Sequence, residues 1–519
     1  MENTIEKSIG KRLSKKQIWI FAVGQLGWSI LGGIINTFLV TFYLPTTNDI
    51  KSGAVQYIKP GLIIGGILTI LGLITAISRV FDAVTDPLIA SLSDRSKNKR
   101  GRRIPFMQYS AVPFAVVTVL LFCAPVQAIS SINVAWISVF VILFYLFMTM
   151  YCTPYNALIS EFGKTQEDRM AISTAISLTF FAGTLLSYTP FLLAGVLRSA
   201  VSFAWSYRIL FIVLAAIALV CMLLPTFLIN EKEFVDAQPS NSNMFKSLIS
   251  TFKNKDFDVF VISDIMYWIG LTLFQTGLPF FVKVSMNLPE IFVTVLMGVM
   301  TILSAVVYPF VTKLVKKFGK KKLVIVGFLG LAVAYVIAAL TNLPGVADRT
   351  ADPSVTPLAL GLGFLICLIA AFPMALLGII PQSIVADVAE AEAVVTGENR
   401  EGMFFAARTF SMKLGQSIAM LVFTSLAILG VEQDLTANDL AAGTYGLTIV
   451  AIAAVVFCVL GAIILLFFKE KKIMKLIAKE SDADFYASID KDADASVAEE
   501  TVEPIVEETS EENIEETKE

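Results

Sequence analysis

Residues 61–103 read GLIIGGILTILGLITAISRVFDAVTDPLIASLSDRSKNKRGRR. The first part, 61–93, is long and apolar enough to cross a bilayer as a helix, which takes about 20 residues. It contains three charged residues, Arg79, Asp82 and Asp86, and it continues directly into a loop with six basic residues. A basic loop is typical of the cytoplasmic end of a membrane helix. The stretch therefore predicts a membrane helix over 61–93 that carries charges within it.

The rest of the chain has the same character. Apolar residues make up 56% of the 519-residue sequence and charged residues only 16%, and the mean hydropathy is +0.74. A large soluble enzyme would expose far more charge, so that class is excluded. Because lipid offers the backbone no hydrogen bonds, the apolar runs must be helices. They predict an all-α membrane protein with twelve transmembrane helices, near 18–44, 61–93, 106–127, 131–158, 171–197, 209–229, 257–285, 291–312, 323–341, 357–383, 402–430 and 444–468.

Basic residues predict the orientation of the chain in the membrane. Lysine and arginine concentrate in the N-terminal segment, in the 95–103 loop and in the 313–322 loop, whereas the loops on the other side contain few of them. Basic loops stay in the cytoplasm. We therefore expect an integral protein of a bacterial-type plasma membrane with both termini in the cytoplasm.

The chain divides into two similar halves and a tail. The segment 231–256 is predicted to be a central cytoplasmic loop between two six-helix halves, 1–230 and 257–470. Two six-helix halves around a central cavity are the arrangement of the major facilitator superfamily. The tail 471–519 is acidic and poor in large apolar residues, which predicts a disordered segment.

Several function classes have no support in the sequence. There is no histidine, so imidazole cannot serve in metal binding or proton relay. The five cysteines fall within apolar runs at unrelated spacings, which favours small buried side chains over disulfides. No Walker motif is present, which argues against ATP hydrolysis. We expect neither an enzyme nor a nucleic-acid-binding protein, and no cofactor apart from a coupling cation.

The charges inside the second span point to cation binding. Asp82 and Asp86 are four residues apart and share one face of the helix, and Arg79 is one turn before Asp82. A single arginine leaves about one negative charge, which a monovalent cation such as Na⁺, or a proton, would balance. The alternative is a permanent salt-bridge cluster that holds the two halves together.

The eleventh span offers a partner for these carboxylates. Lys413 lies deep within it, too far from the headgroups to reach them easily, and it shares a face with Thr409. A buried lysine can neutralise the aspartate pair when the cation is absent. Gly402 and Gly415 flank Lys413 and are expected to allow close helix packing. Arg408 is the third basic residue at membrane depth, beside Arg79 and Lys413.

Three segments resemble the glycoside–pentoside–hexuronide:cation symporter family, which includes melibiose permease. They are RVFDAVTDPLIASLSDRSKNKRGRRIPFM (79–107), TPYNALISEFGKTQEDR (153–169) and ADVAEAEAVVTGENREGMFFAARTFSMKLG (386–415). Through this resemblance Asp82, Asp86 and Thr149 correspond to cation-binding positions, and Lys413 to an essential lysine. The resemblance thus implies a complete cation site.

The charged sugar-binding residues of the family are not matched. Melibiose permease has aspartates at the positions that correspond to Gln25 or Leu26 and to Cys152, and a tryptophan at the position of Gly378. It also has an arginine in the fifth span, which this sequence lacks. We therefore expect a solute other than a galactoside, bound by polar and aromatic groups within the spans. For each of these residues a helix-packing role is the alternative. The candidates are Gln25, Asn156, Asp264, Trp268, Gln275 and Thr409.

These observations predict a secondary transporter that couples a cation to a small polar solute of the sugar type by alternating access. Two alternatives stay open. Loss of the sugar-binding charges fits a lipid or lysolipid carrier of the same superfamily. A non-transporting membrane sensor is less well supported, because a sensor does not need a cation site in the membrane.

Overall fold

The computed structural model describes residues 12–59, 61, 68–235, 251–349, 352–397, 401–429 and 442–477. Within these residues, ten helices are long and apolar enough to cross a membrane by length and composition. Two more, Ile70–Asp94 and Glu401–Leu426, have comparable length but carry the buried charges. Each of the twelve predicted spans therefore contains a long helix, and the all-helical membrane fold is confirmed.

The helices are numbered here in chain order. The fifth span consists of two consecutive helices, α6 with 22 residues and α7 with nine, and α9 ends in a π-helical turn at Phe281–Ser285. The helices are α1 (Lys15–Tyr43), α2 (Thr47–Lys51), α3 (Ile70–Asp94), α4 (Ile104–Leu121), α5 (Ser131–Phe162), α6 (Gln166–Ser187), α7 (Thr189–Leu197), α8 (Phe203–Leu228), α9 (Lys255–Phe280), α10 (Ile291–Phe318), α11 (Lys320–Leu340), α12 (Pro357–Thr396), α13 (Glu401–Leu426) and α14 (Thr444–Leu465).

The start of the second span differs from the prediction. Helix α3 begins at Ile70 rather than at residue 61, because Thr69 caps it: the Thr69 hydroxyl accepts a hydrogen bond from the amide of Gly72 at 3.0 Å. A threonine in this position satisfies an amide that lacks a partner within the helix. Helix α12 also continues to Thr396, beyond its expected end at residue 383.

The two halves of the sequence meet where α3 packs against α13. The approach is close at Gly72, where an added Cβ would lie 2.2 Å from the Thr424 hydroxyl. Helix α13 also packs on α9, and a Cβ at Gly415 would lie 2.9 Å from the carbonyl of Ile265. The expected close packing at Gly415 is therefore present. A Cβ added at Gly402 would have no described atom within 4 Å. The prediction of close packing at Gly402 is therefore wrong as far as the described residues show.

The outward faces of the helices are apolar. Val220 and Phe227 of α8 and Ile302 of α10 each expose more than half of their surface. Exposed side chains of this kind are unfavourable in water but suit contact with lipid tails. The surface therefore agrees with a bilayer environment.

The chain forms two compact units. The larger unit comprises Met1–Ala386 and Glu401–Phe468, and the smaller comprises Asp387–Arg400 and Lys469–Glu519. The described parts of the smaller unit, 387–397 and 469–477, are mostly helical. Most of the predicted central loop (236–250) and of the predicted acidic tail (478–519) lies outside the described residues.

Glu231 joins the end of the first six spans to the basic loop. Its carboxylate accepts hydrogen bonds from the backbone amides of Arg102 (2.8 Å), Arg103 (2.9 Å) and Ile104 (2.9 Å). The first amides of a helix have no acceptor within it, so this buried carboxylate serves as the cap of α4. Gly101, with φ of +122°, allows the approach, since a Cβ there would lie 2.2 Å from Glu231 Oε2.

We expect Glu231→Ala to destabilise the protein by about 1–3 kcal/mol, because buried amides would lose their acceptor. The change would appear as a lower midpoint of thermal unfolding in detergent. Glu233→Ala, in the same turn but exposed, is the matched control and should change stability by less than about 0.5 kcal/mol. Equal midpoints for the two variants would contradict the capping role.

Candidate cation site and solute cavity

Lys413 of α13 lies between the carboxylates of Asp82 and Asp86 of α3. Its Nζ is 2.7 Å from Asp82 Oδ1 and 2.7 Å from Asp86 Oδ2. Asp82 is fully buried and Lys413 is 6% exposed, whereas Asp86 is only partly covered. The three residues that the sequence placed in one site are therefore in direct contact. The ammonium group lies where a monovalent cation would have to lie to touch both carboxylates.

Two threonines of α5 complete the surroundings of the carboxylates. The Thr149 hydroxyl donates to Asp82 Oδ1 at 2.7 Å, and the Thr153 hydroxyl donates to Asp86 Oδ1 at 3.3 Å. Thr149 was predicted for this site and Thr153 was not. The signal for Thr153 is its spacing: it follows Thr149 by four residues, as Asp86 follows Asp82, so two parallel pairs face each other across the helices.

Arg79 lies on the other side of Asp82 and connects this site to α1. Its Nη1 is 4.0 Å from Asp82 Oδ2, and its Nη2 donates to Asn36 Oδ1 at 2.7 Å. The guanidinium also lies 4.6 Å from the centre of the Tyr145 ring, a distance at which a cation is attracted to the ring face. Asn36 is exposed although it belongs to a membrane helix, and it was not among the residues predicted for this site.

The charges of this cluster balance one another. Two carboxylates face one ammonium and one guanidinium, and three of the four side chains are almost fully buried. Breaking one buried pair leaves an uncompensated charge, which costs about 3–5 kcal/mol. A cation that entered between Asp82 and Asp86 would therefore have to displace the Lys413 ammonium, because both cannot occupy the space between the carboxylates.

A cavity of about 200 Å³ opens beside Asp86, between α3, α5 and α13. Its polar lining comes from Asp86, Thr153, Asn156 and Thr409, and Phe410 adds an aromatic face. Two predicted solute residues, Asn156 and Thr409, are thus brought next to the carboxylates. Pro87 also lines the cavity and has no N–H to donate to the carbonyl one turn earlier.

The other predicted solute residues lie away from this cavity. Gln25 is buried in α1 and its amide donates to Ser29 of the same helix at 2.9 Å. Asp264 of α9 is buried and accepts two hydrogen bonds from Arg408 of α13, at 2.9 and 3.2 Å. A paired carboxylate of this kind holds two helices together and is less available to a solute.

Trp268 and Gln275 of α9 are half-buried, seven residues apart, and so lie on one face of that helix. They are not among the residues that line the cavity beside Asp86. The six solute candidates therefore fall into two groups, and only Asn156 and Thr409 adjoin the aspartate pair.

A family model described as MFS/sugar transport protein matches residues 20–471. The chain belongs to this family. It is accordingly a membrane transporter of the major facilitator superfamily and not an enzyme, and its resemblance to cation symporters is confirmed.

Two relatives of this member of the MFS/sugar transport family are distant in sequence. It is 23% identical to the isoprimeverose transporter of Lactiplantibacillus pentosus, over 77% of each chain. It is also 23% identical to the sodium-dependent lysophosphatidylcholine symporter 1 of Xenopus tropicalis, over 89% of this chain and 91% of that one. The crystal structure of a bacterial homologue of the human lysosomal transporter Spinster has the same fold, with a TM-score of 0.60, 14% identity and coverage of 89% and 97% of the two chains.

Proposed function

We propose that this protein is a cation-coupled symporter that carries a small polar solute of the glycoside, pentoside or hexuronide type. The observation that supports this most directly is the contact of Lys413 with Asp82 and Asp86. The lysine belongs to the last six spans and the aspartates to the first six. One ion-binding site is therefore shared by the parts of the chain that must move against each other during alternating access.

Coupling follows from competition for the aspartate pair. Without a cation, Lys413 neutralises the carboxylates and ties α13 to α3. A sodium ion or a proton that neutralises the carboxylates releases the lysine, and its ion pairs between the two helices are lost. The cation thus changes the relative stability of two arrangements of the halves, which is the condition for it to drive a conformational change.

The solute would bind next to this switch. A cavity of about 200 Å³ holds a sugar-sized molecule but not a headgroup with an acyl chain. Asn156, Thr153 and Thr409 can hydrogen-bond hydroxyl groups, and Phe410 can pack on the apolar face of a ring. The likeness to an isoprimeverose transporter supports a sugar-type solute. Because the galactoside-binding charges are absent, melibiose should be transported poorly.

A lysolipid is the second candidate. It is favoured by the likeness to a sodium-dependent lysophosphatidylcholine symporter along nearly the whole chain, and by the missing sugar-binding charges. A carrier of this kind needs an apolar path for the acyl chain, which the cavity beside Asp86 does not provide. A non-transporting sensor is supported less, because the charged site would then have no use.

Uptake into proteoliposomes distinguishes these candidates. The purified full chain would be tested with xylose-containing disaccharides, glucuronides, melibiose and lysophosphatidylcholine, under a sodium gradient, a proton gradient or neither. We expect a gradient to stimulate uptake of a pentose- or hexuronide-containing solute, and little uptake of melibiose. Gradient-driven lysophosphatidylcholine flux without sugar uptake would support the lipid carrier instead. The absence of any stimulated flux would favour the sensor.

A further inference from the structure

Four charged side chains, two of them buried and two partly exposed, pair with one another at the end of the helix bundle opposite the basic loops. Asp49 belongs to α2, which follows the first span, and Arg198 follows the fifth span. Lys283 ends the seventh span and Glu290 directly precedes the eighth. All four therefore belong to connections on the side away from the 95–103 loop. Their side chains, called the closure cluster here, are at most 22% exposed.

The first pair in the closure cluster joins α2 to the end of α9. Lys283 Nζ is 2.6 Å from both carboxylate oxygens of Asp49, and both side chains are 5% exposed. Asp49 is held in place by Thr46, whose amide and hydroxyl donate to it at 2.9 and 2.8 Å. The lysine thus meets a fixed carboxylate from the other half of the sequence.

The second pair joins the end of α7 to the start of α10. Arg198 Nη2 is 2.7 Å from Glu290 Oε2, and Lys283 is 3.9 Å from Glu290 Oε1. Arg198 is positioned by aromatic residues of α8: its guanidinium lies 4.2 Å from the Phe203 ring centre and donates to the Tyr207 hydroxyl at 3.2 Å. Here the first half supplies the cation and the second half supplies the carboxylate.

Neutral hydrogen bonds accompany these ion pairs across the same seam. The Asn48 amide donates to Asn287 Oδ1 at 3.0 Å, and the Thr294 hydroxyl donates to the carbonyl of Tyr188 at 2.8 Å. Asn48 and Tyr188 belong to the first half, Asn287 and Thr294 to the second. Every one of these contacts would break if the halves separated at this end.

We propose that the closure cluster is a gate, in which the Asp49–Lys283 and Arg198–Glu290 pairs hold this end of the transporter shut and separate when it opens. Each pair contains one acid and one base, so the cluster is neutral when closed. Because the two pairs have opposite polarity, each half also contributes no net charge when they separate. Separation exposes each charge to water. The hydration free energy offsets part of the lost pairing energy, so the gate can open reversibly. The gate lies on seams between α2 and α9 and between α7 and α10, away from the α3–α13 contact that Lys413 ties.

Spin labels can report closure without any solute or cation, so the test is independent of the proposed function. Ser52→Cys in the first half and Leu343→Cys in the second are exposed positions at the same end. They would be labelled in a background whose five native cysteines are replaced by alanine. Pulsed electron resonance then gives the distribution of distances across the seam. We expect one closed distance in the parent protein.

Neutralising one member of a pair should open the gate. We expect Lys283→Gln or Glu290→Gln to raise the population at the longer distance by roughly tenfold or more. Lys283→Arg keeps the charge and should stay close to the parent. Glu290→Gln leaves the Asp49–Lys283 pair intact, which provides a second route if Lys283→Gln does not fold. Distance distributions identical to the parent in both folded Gln variants would overturn the gate.

Arg208→Gln is the matched control. Arg208 is a buried arginine at the same end of the bundle, but it donates to the Phe122 carbonyl at 2.9 Å and to the Tyr57 hydroxyl at 3.2 Å, both within the first half. Its loss should leave the distance across the seam unchanged. If Arg208→Gln opened this end as much as Lys283→Gln, any lost buried charge would have the same effect and the specific gate would be rejected.

Discussion

Asp82→Asn and Asp86→Asn are each expected to abolish cation-driven accumulation of the solute. Each substitution removes half of the negative charge that faces Lys413 and one charged oxygen ligand for the cation. The loss of one partner from a buried pair is worth about 3–5 kcal/mol, or roughly two to four orders of magnitude in an equilibrium constant. Exchange of the solute down its gradient can persist, because the cavity beside Asp86 keeps Asn156 and Thr409.

The measurement is uptake against a concentration gradient, compared with exchange at equal concentrations, in proteoliposomes with matched protein content. Ser78→Ala is the control on the same helix: Ser78 is buried one turn from Asp82, and its hydroxyl donates to the carbonyl of Ile74 in its own helix. It should accumulate solute like the parent. Full accumulation by a folded Asp82→Asn variant would show that the carboxylates are scaffold and that coupling occurs elsewhere.

Lys413→Ala is expected to lose net uptake by a different route. The variant keeps both carboxylates and Thr149, so it should still bind the cation. Without the ammonium, the Arg79 guanidinium balances one of the two carboxylates, and the cation-free state keeps about one uncompensated negative charge. The return of the empty carrier therefore becomes costly. We therefore expect exchange in the presence of the cation but little net transport, whereas the aspartate variants should lose their response to the cation.

Thermal stability gives an independent test of Lys413. The variant Lys413→Ala should unfold at a lower temperature than the parent, and the coupling cation should restore much of the difference by binding the folded state. The double variant Asp86→Asn/Lys413→Ala should be more stable without the cation than Lys413→Ala alone, because it leaves fewer charges unpaired. Equal melting temperatures of the parent and Lys413→Ala would contradict the pairing role.

Arg408→Ala is the matched control for this experiment. It also leaves a buried carboxylate, that of Asp264, without its basic partner. Because this pair lies apart from the aspartates of α3, the cation should not restore its stability. Rescue of both variants by the same cation would indicate a general effect of salt rather than a specific site.

The predicted fold and the predicted cation site came from patterns that operate within single helices. Membrane-crossing length is a property of each apolar run, and the period of a helix places Asp82 and Asp86 on one face whatever surrounds them. The cost of a charge in lipid marks Lys413 as a residue that needs a partner. Thr149 entered only through the resemblance to a family. The observed contacts agree with this grouping, while its role in cation binding stays a proposal.

Pairing between helices was decided by the tertiary structure alone. The rotation and depth of each helix follow from packing points such as Gly72 and Gly415, where backbones approach closely. No pattern within α9 or α13 shows that Asp264 meets Arg408. The predicted solute residues separated into two groups for the same reason, since membership of a span does not fix the direction of a side chain.

The closure cluster is the clearest case of contacts that only the tertiary structure determines. Asp49, Arg198 and Glu290 lie in connections between the predicted spans, and Lys283 lies near the end of the predicted span 257–285. The two members of each pair are far apart in sequence, and each residue resembles an ordinary charge at a membrane boundary when read alone. Their burial and pairing depend on how the two halves of the chain meet. A sequence specifies the period of each helix and the cost of placing each side chain in lipid. The energy of an ion pair between two helices depends on the distance between its charges, which neither helix determines alone. Such contacts therefore exist only once both helices are packed.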